Sequence, residues 1–233
     1  MNGKKLFKDL KNEYIGRGFS MLCAGIIIIL TFTIIVFITS KGINTFTKHG
    51  YSLSKFLFTS LWNPEGNNPK FGALIFIAGS TFVSIGAVII STPIGVGLAI
   101  FMHYISPKLG KKILQPSLEL FVGIPSVVYG WIGFSVLIPF LKWNFGGIGF
   151  SLIAGILVLS IMILPTIASI SADAVKVVPK KYMEGSYGLG ATRCQTISKV
   201  ILPSAKNVIL TGTVLGLAIA LGEVCAVQMV IGN

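Results

Sequence analysis

The chain has 233 residues, of which 53% are hydrophobic and only 11% are charged, and its formal net charge at pH 7 is +12. Soluble domains carry about 45–50% apolar and about 25% charged residues, so this composition excludes an ordinary soluble domain and predicts an integral membrane protein. The positive charge does not predict a nucleic-acid partner, because the basic residues lie in loops between apolar runs, where they orient membrane spans.

Five apolar runs are long enough to cross a bilayer as helices, since a span needs about 20 largely apolar residues. The first run is longer than the apolar core of a secretory signal, about 7–15 residues, and no A-x-A cleavage site follows it, so we expect a retained anchor. The second run contains Pro93 and is too long for one upright crossing, which predicts a tilted or bent helix. The runs are Phe19–Thr39, Phe71–Tyr104, Leu118–Leu141, Gly149–Ile170 and Val208–Ile231.

Basic residues are concentrated in alternate loops, which predicts the side of the membrane that each loop occupies. The amino-terminal tail, the loop around Lys111 and the segment between the fourth and fifth runs are the most basic. Cytoplasmic loops carry the excess of lysine and arginine, so these segments and the amino terminus are expected in the cytoplasm. We predict a cytoplasmic tail over 1–18, a transmembrane anchor over 19–40, an extracytoplasmic loop with a short surface helix over 41–70, and a helical transmembrane domain over 71–233.

The polar segment over about 171–206 predicts two short helices joined by a tight turn. Pro179 suits a first helical turn, where its missing N–H costs no hydrogen bond. Gly190 suits the left-handed position that follows a helix. Thr192 and Gln195 have the spacing of a capping box that begins a second helix, and Leu202-Pro203 is expected to end that helix. On local pattern alone, the segment could equally be a solvated hairpin without a further role.

The sequence EGSYGLGATRCQTISKVILP, from Glu184 to Pro203, resembles the EAA loop of bacterial ABC importer permeases. In that family the loop docks the membrane subunit onto a cytoplasmic ATPase. Gly185 and Ser186 stand where the family usually has alanines, and Val200 stands where it usually has isoleucine, and these changes keep the small or β-branched shape. The resemblance implies an ATPase-coupling role for Glu184, Gly185, Ser186, Gly190, Val200, Leu202 and Pro203.

Further segments resemble the permeases of phosphate-specific importers, and GIPSVVYG at 123–130 is the most characteristic of them. The others include LWNP at 61–64, STPIGVGLAIF at 91–101 and GEVCAVQMVIGN at 222–233. The long first outer loop with LWNP resembles that of the PstC type rather than the PstA type. The resemblance implies an all-α bundle of the type I ABC importer permease kind in a bacterial inner membrane. It also implies three partners: a second permease of the PstA type, an ATPase dimer that binds ATP and magnesium, and an extracytoplasmic phosphate-binding protein.

Two features depart from the family pattern. Its permeases usually have six spans, whereas five are visible here before Asn233, so we expect the given chain to be truncated at its carboxyl end. The family also commonly has an arginine four residues before Glu223, where this chain has Ile219. If Glu223 acts in transport, its partner is therefore expected to be a base on another subunit.

Ionisable and helix-breaking residues inside spans are costly, and they therefore mark a candidate translocation path. Glycine and serine in spans also allow close helix packing, an alternative that the sequence leaves open. Glu119, at the start of the third run, suits the positive end of a helix dipole rather than the path. The path candidates are Gly123, Pro125, Ser126, Tyr129 and Glu223.

The sequence contains no phosphate-cradling G-x-x-x-x-G-K-[ST] motif and no evident nucleophile–base–acid set. Cys23, Cys194 and Cys225 match no disulfide or metal-binding pattern. We therefore predict a transport subunit that is not an enzyme and that binds no metal or cofactor of its own. Three alternatives remain open: an importer of sulfate, molybdate or tungstate, an ATP-independent channel or carrier, and a remnant that does not transport.

Overall fold

The computed structural model describes residues 3–49, 52–64 and 70–232. The chain divides into two units, Met1–Ile75 and Phe76–Asn233. In the described ranges, five helices are long and apolar enough to cross a membrane: Gly16–Asn44, Leu74–Ile105, Ser126–Phe145, Leu152–Val177 and Arg193–Gly222. The prediction of an all-α polytopic membrane protein with five visible spans is confirmed.

The first unit contains one long helix, one short helix and a small hairpin. Helix α1 (Gly3–His49) includes the first predicted span and continues beyond it at both ends. Helix α2 (Leu53–Phe58) lies where a short helix was expected in the outer loop. Strands β1 (Trp62–Asn63) and β2 (Lys70–Phe71) pair antiparallel, with Trp62 opposite Phe71. The hairpin was not predicted from the sequence.

The second unit is a bundle in which α8 is the central helix. Its helices are α3 (Leu74–Ile100), α4 (Pro107–Leu109), α5 (Gln115–Val122), α6 (Ser126–Ile132), α7 (Ile138–Phe145), α8 (Leu152–Val177), α9 (Lys180–Gly188), α10 (Arg193–Thr196), α11 (Leu202–Gly222) and α12 (Cys225–Ile231). Half of the most apolar stretch of α8 is buried, the largest share among the spans. Three clusters of buried apolar side chains lie along it.

Contacts at small residues show the directions in which the packed helices run. Ser91 of α3 donates a hydrogen bond of 2.7 Å to the Ser160 carbonyl of α8, and a Cβ on Gly95 would lie 3.2 Å from the nitrogen of Ala168. Since the residue numbers rise together on both helices, α3 and α8 run parallel. On α11, a Cβ at Gly212 would meet Ile170, and one at Gly216 would meet Ile167, so α11 runs antiparallel to α8. Glycine at these contacts permits the close backbone approach on which membrane helix packing depends.

These directions bring the carboxyl ends of α3 and α8 and the amino end of α11 together at one end of the bundle, called here the basic end. The phenolic O–H of Tyr104 donates a hydrogen bond of 3.0 Å to the Val175 carbonyl and fixes the two carboxyl ends to each other. Lys142 is in α7, the helix that follows α6, and it lies at the opposite end of the bundle. The basic end carries Lys108, Lys111, Lys112, Lys176, Lys180, Lys181, Arg193, Lys199 and Lys206.

In the part of the chain that the structure describes, four π-helical turns interrupt the spans and the helices that join them, and each ends two residues before a proline. They are Phe101–Ile105, Gly110–Leu114, Gly133–Leu137 and Ile197–Ile201, followed by Pro107, Pro116, Pro139 and Pro203. A proline lacks the N–H for the hydrogen bond to the fourth residue before it, and its ring crowds that carbonyl. A widened π turn moves the carbonyl aside, and at Pro116, Pro139 and Pro203 the helix continues through the proline. Before Pro107 the helix instead ends at Ser106, which has φ −136° and ψ 75°.

Two spans differ from the sequence prediction because the chain breaks where hydropathy does not change. The third predicted run, Leu118–Leu141, is interrupted between α5 and α6, where Pro125 adopts an extended conformation with φ −59° and ψ 139°. The fifth, Val208–Ile231, is wrong at both ends: the helix already begins at Arg193 and stops at Gly222, and α12 is a separate helix. Glu223, with φ −84° and ψ 114°, leaves the helical conformation there.

Candidate functional site: a helical hairpin and two helix breaks

The hairpin of α9 and α10 at the basic end is built by local hydrogen bonds that its sequence encodes. The backbone N–H groups of Gly190 and Ala191 donate to the carbonyls of Tyr187 and Ser186, at 2.9 and 3.1 Å. This pattern is a Schellman motif, and it needs a left-handed residue, which Gly190 provides with φ +78°. The predicted end of the first helix is confirmed, and α9 begins at Lys180, directly after Pro179.

The predicted capping box at the start of α10 is confirmed. The Thr192 hydroxyl accepts a hydrogen bond of 3.4 Å from the backbone N–H of Gln195, and the Gln195 amide oxygen accepts one of 2.9 Å from the backbone N–H of Thr192. The expectation that Leu202-Pro203 ends this helix is wrong. The π turn Ile197–Ile201 accommodates Pro203, so α10 and α11 form one helix without a break, from Arg193 to Gly222.

The inner side of the hairpin is attached to the bundle. Thr196 is 1% exposed, and its hydroxyl lies 2.9 Å from the hydroxyl of Ser186, which joins α10 to α9. Met183 packs against the buried cluster that contains Val175 and Ile201. The hairpin therefore sits on the core at the carboxyl end of α8, and α11 extends it directly into the membrane.

The outer side of the hairpin exposes both apolar and charged groups. Leu189, between the two helices, is 91% exposed, and Tyr182 is 53% exposed. Gly185 and Gly188 leave open space where a side chain would stand, and Glu184 is exposed on the same helix. Sequence reasoning missed Leu189, although a leucine between two glycines in a polar segment is an unusual feature.

The seven residues predicted to couple to an ATPase do not all lie on this surface. Glu184, Gly185 and Gly190 are exposed on the hairpin, whereas Ser186 faces Thr196 inside it. The others lie farther along the same helix: Val200 and Leu202 are half-buried, and Pro203 is exposed. The residues predicted for ATPase coupling thus fall into three places: the outer surface of the hairpin, its inner contact at Ser186, and the start of α11.

Of the residues predicted to line a path, Tyr129 has a structural contact across the first break. It is 7% exposed, and its O–H donates a hydrogen bond of 2.8 Å to the carbonyl of Phe121, which ties α6 to α5. Gly123 and Pro125, in the break itself, are exposed, and Ser126 is half-buried.

Glu223 has a similar role at the second break. The side chain is half-buried, and its Oε1 accepts a hydrogen bond of 3.1 Å from the backbone N–H of Ala226, in the first turn of α12. A carboxylate in this position satisfies an N–H that the break leaves without a helical partner. No arginine stands one turn earlier, where Ile219 is half-buried.

The two breaks lie at the same level of the bundle. A Cβ on Gly130 would lie 2.9 Å from Ala226 Cα, and one on Gly133 would lie 2.8 Å from Val230 Cγ1. Both contacts advance in the same direction, so α6 and α12 run parallel. Gly130 lies five residues after Pro125, and Ala226 lies three residues after Glu223. The helix breaks that contain Pro125 and Glu223 are therefore neighbours, although nearly a hundred residues of chain separate them.

Comparison with known proteins identifies the family. Residues 91–233 match the model of the binding-protein-dependent transport system inner membrane component family. The chain belongs to this family.

Two relatives cover most of the chain. It is 52% identical over 95% of its length to the Probable ABC transporter permease protein YqgH of Bacillus subtilis, and the match spans 72% of that protein. It is 36% identical over 86% of its length to the Phosphate transport system permease protein PstC of Mesorhizobium japonicum, and this match spans 68% of that protein. Since these relatives are permeases, the prediction of a transport subunit that is not itself an enzyme is confirmed.

A solved structure shows the same fold. A chain of the MetNI methionine ABC transporter, in an inward-facing conformation, is similar to this chain with a TM-score of 0.50 at 25% identity, over 63% of this chain and 66% of that one. The fold is therefore that of an ABC importer permease, and the chain is a multi-pass membrane protein. Within the residues that the structure describes, no group of three or more histidine, cysteine, aspartate or glutamate side chains is placed to hold a metal ion.

Proposed function

We propose that the chain is the PstC-type permease subunit of an ATP-driven phosphate importer. The observation that carries this proposal is the similarity to PstC proteins over most of the chain, at 36% identity for the Mesorhizobium japonicum protein and 35% for the Pasteurella multocida protein. The relatives do not favour another oxyanion or an ATP-independent carrier. A PstA protein of Mycobacterium bovis is also similar, at 34% identity over 63% of the chain, and supports a second permease of related fold as partner.

The orientation follows from the charge of the basic end. Cytoplasmic loops are enriched in lysine and arginine, so the basic end, with the hairpin, faces the cytoplasm of a bacterial cell. By the same rule, the basic tail over 1–18 puts the amino terminus in the cytoplasm and the loop over 41–70 outside. This arrangement leaves the hairpin for an ATPase dimer and the outer loop for an extracytoplasmic phosphate-binding protein.

Coupling to ATP hydrolysis uses the attachment of the hairpin to the spans. The ATPase dimer, which would hold ATP and magnesium, docks on Leu189, Glu184 and the open space over Gly185. Since α10 and α11 are one helix, and since Ser186 and Thr196 join α9 to it, a displacement of the hairpin moves α11 along with it. The hairpin thereby transmits closure of the ATPase dimer to the membrane.

The translocation path runs along the paired helix breaks. In a membrane, backbone without helical hydrogen bonds is tolerated only inside protein or beside a water-filled cavity. Gly123 and Pro125 are exposed on this chain, so they face the second permease across an aqueous path. Ser126 offers a hydroxyl there, and Tyr129 and Glu223 hold the two breaks in shape. The path needs no tight anion site, because the binding protein supplies affinity.

The test is reconstitution of the chain with the second permease, the ATPase and the binding protein in proteoliposomes. Uptake of radiolabelled phosphate that depends on internal ATP and is not reduced by excess sulfate or molybdate supports the proposal. Uptake of sulfate in preference to phosphate would refute the substrate, and uptake without the ATPase would refute the mechanism. Glu223→Gln, which keeps an acceptor for the Ala226 N–H, should retain the fold, so any loss of uptake in it reports the charge itself.

A further inference from the structure

Two adjoining depressions at the basic end share one side chain, Leu118. The first is a polar cavity of about 390 Å³ between the ends of α3, α5 and α8. The second is an apolar groove of about 200 Å³ that leads away from it between the same three helices. The cavity is lined by His103, Lys111, Gln115, Glu119, Asp173 and Lys176, and the groove by Leu98, Leu114, Phe121, Ile161 and Leu164.

The polar cavity presents cations and anions in balance. Lys111 and Lys176 offer ammonium groups, and Glu119 and Asp173 offer carboxylates. Gln115 donates a hydrogen bond of 3.3 Å to the Glu119 carboxylate and orients it. A ligand that fits must therefore carry both a negative and a positive group. An ion of phosphate alone would leave the carboxylates without a counter-charge.

The polar cavity and the apolar groove together have the depth of half a bilayer. Asp173 and Ile161 are twelve residues apart on α8, which is about 18 Å along a helix. One leaflet of the hydrocarbon core is about 15 Å thick. The cavity and the groove together therefore extend from the level of the charged groups to near the middle of the membrane, and Ile161 and Phe121 in the groove wall are 55% and 45% exposed.

We propose that this pair of depressions binds one phospholipid of the adjacent leaflet with an ethanolamine headgroup. The phosphodiester lies between Lys111 and Lys176, the primary ammonium lies against Asp173 and Glu119, and the part of one acyl chain nearest the headgroup lies in the groove. The charge balance selects a zwitterionic headgroup, because an anionic one without an amine satisfies only the lysines.

The position of this site links it to the hairpin. A further cavity, of about 350 Å³, shares His103 and Lys176 with the polar cavity and is also lined by Glu184 and Tyr187 of α9. A lipid headgroup bound at Lys176 therefore lies next to the base of the hairpin. Lipid composition would in this way influence the surface that contacts the ATPase.

The experiment is native mass spectrometry of the chain released from nanodiscs that contain equal amounts of phosphatidylethanolamine, phosphatidylglycerol and phosphatidylcholine. One retained phosphatidylethanolamine is expected. Lys111→Ala should lower its occupancy about fivefold, the effect of one partly solvated charged hydrogen bond. Lys112→Ala is the matched control, since Lys112 is its exposed neighbour and does not line the cavity. Leu164→Trp, which fills the groove, should also release the lipid, whereas Leu210→Trp on the exposed side of α11 should not.

Several outcomes would overturn the proposal. These are no retained phospholipid, equal losses in Lys111→Ala and Lys112→Ala, or preferential retention of phosphatidylglycerol or phosphatidylcholine. Binding of inorganic phosphate to the chain in the absence of lipid, reduced by Lys111→Ala, would also contradict it, because the cavity would then be a site for a free anion. None of these readouts depends on transport, so the result is independent of the proposed phosphate import.

Discussion

The hydroxyl groups of Ser186 and Thr196 lie 2.9 Å apart and form the polar contact between the two helices of the hairpin. Thr196 also donates to the Thr192 carbonyl at 3.0 Å, so its hydroxyl takes part in both the turn and the link to α9. On the Thr196 side the contact is buried, so a hydrogen bond lost by this hydroxyl is not replaced by water.

This contact predicts a measurable coupling between the two side chains. Thr196→Val removes a buried hydroxyl and leaves Ser186 without its partner, which should cost about 1 kcal/mol of stability. Ser186→Ala together with Thr196→Val should cost less than the sum of the single changes, which a double-mutant cycle on thermal unfolding in detergent measures. Ser198→Ala, at an exposed hydroxyl bonded to Cys194 within its own helix, is the control. Strictly additive effects would mean that the two hydroxyls do not interact.

Alanine substitutions at Gly190 and at Gly188 are predicted to have opposite effects on stability. Gly190 has φ +78°, so Gly190→Ala should destabilise the hairpin by about 1–2 kcal/mol, whereas asparagine tolerates this conformation and should retain function. Gly188 is helical with open space around it, so Gly188→Ala should stabilise α9 by about 1 kcal/mol or less. Thermal unfolding and phosphate-stimulated ATP hydrolysis measure the three variants. Equal behaviour of the alanine and asparagine variants at Gly190 would contradict the prediction.

Leu189 is predicted to be an anchor for the ATPase. Because it is 91% exposed, its replacement does not disturb the core, and burying a leucine against a partner contributes about 1.5–3 kcal/mol. Leu189→Ala should therefore weaken ATPase binding about tenfold. Val177→Ala, at a residue that is 79% exposed at the same end but outside the hairpin, should change little. Equilibrium binding of the purified ATPase to the permeases in nanodiscs measures both, and equal affinities would remove Leu189 from the docking surface.

The parallel packing of α6 and α12 predicts a strong effect of a single methyl group. A Cβ on Gly130 would lie 2.9 Å from the backbone of Ala226, so Gly130→Ala must push the two helices apart, at a cost of about 1–3 kcal/mol. Gly97→Ala on α3, with no atom nearby, should be neutral or slightly stabilising. Thermal unfolding should separate these variants by several degrees. If the two variants unfold together, the α6–α12 contact is not formed as described.

The proposed orientation predicts that Cys194 reacts only from the cytoplasmic side. It is exposed at the basic end, so a membrane-impermeant maleimide should label it in inside-out vesicles and not in intact cells. Replacing Cys23 and Cys225 with serine removes the other thiols, and a cysteine introduced at Lys142, at the opposite end, should show the reverse pattern. Labelling of Cys194 from outside intact cells would reverse the orientation and remove the coupling mechanism.

Hydropathy and local motifs were sufficient to locate the first, second and fourth spans and the turn and cap of the hairpin. The Thr192–Gln195 capping box and the turn at Gly190 depend on residues a few positions apart, so the sequence contains all the information that they need. The breaks at Pro125 and Glu223 were missed as helix ends, because they interrupt runs whose hydropathy stays high. Their adjacency depends on the glycine contacts of α6 with α12, between residues far apart in the sequence. The prediction that the helix ends at Pro203 was wrong, because a π turn before Pro203 allows the helix to continue. The sequence motifs considered did not include this turn.

That π turn also fixes the rotation of the last long span. A π turn holds about one residue more than an α turn, and one residue corresponds to a rotation of about 100° around a helix axis. The turn at Ile197–Ile201 therefore determines that Gly212 and Gly216, rather than the bulkier residues beside them, point at α8. Removing one residue from this turn would rotate Gly212 and Gly216 away from α8 and bring larger side chains of α11 against it instead. The pitch of a single turn beside the hairpin thus decides which surface of α11 meets the bundle several turns away.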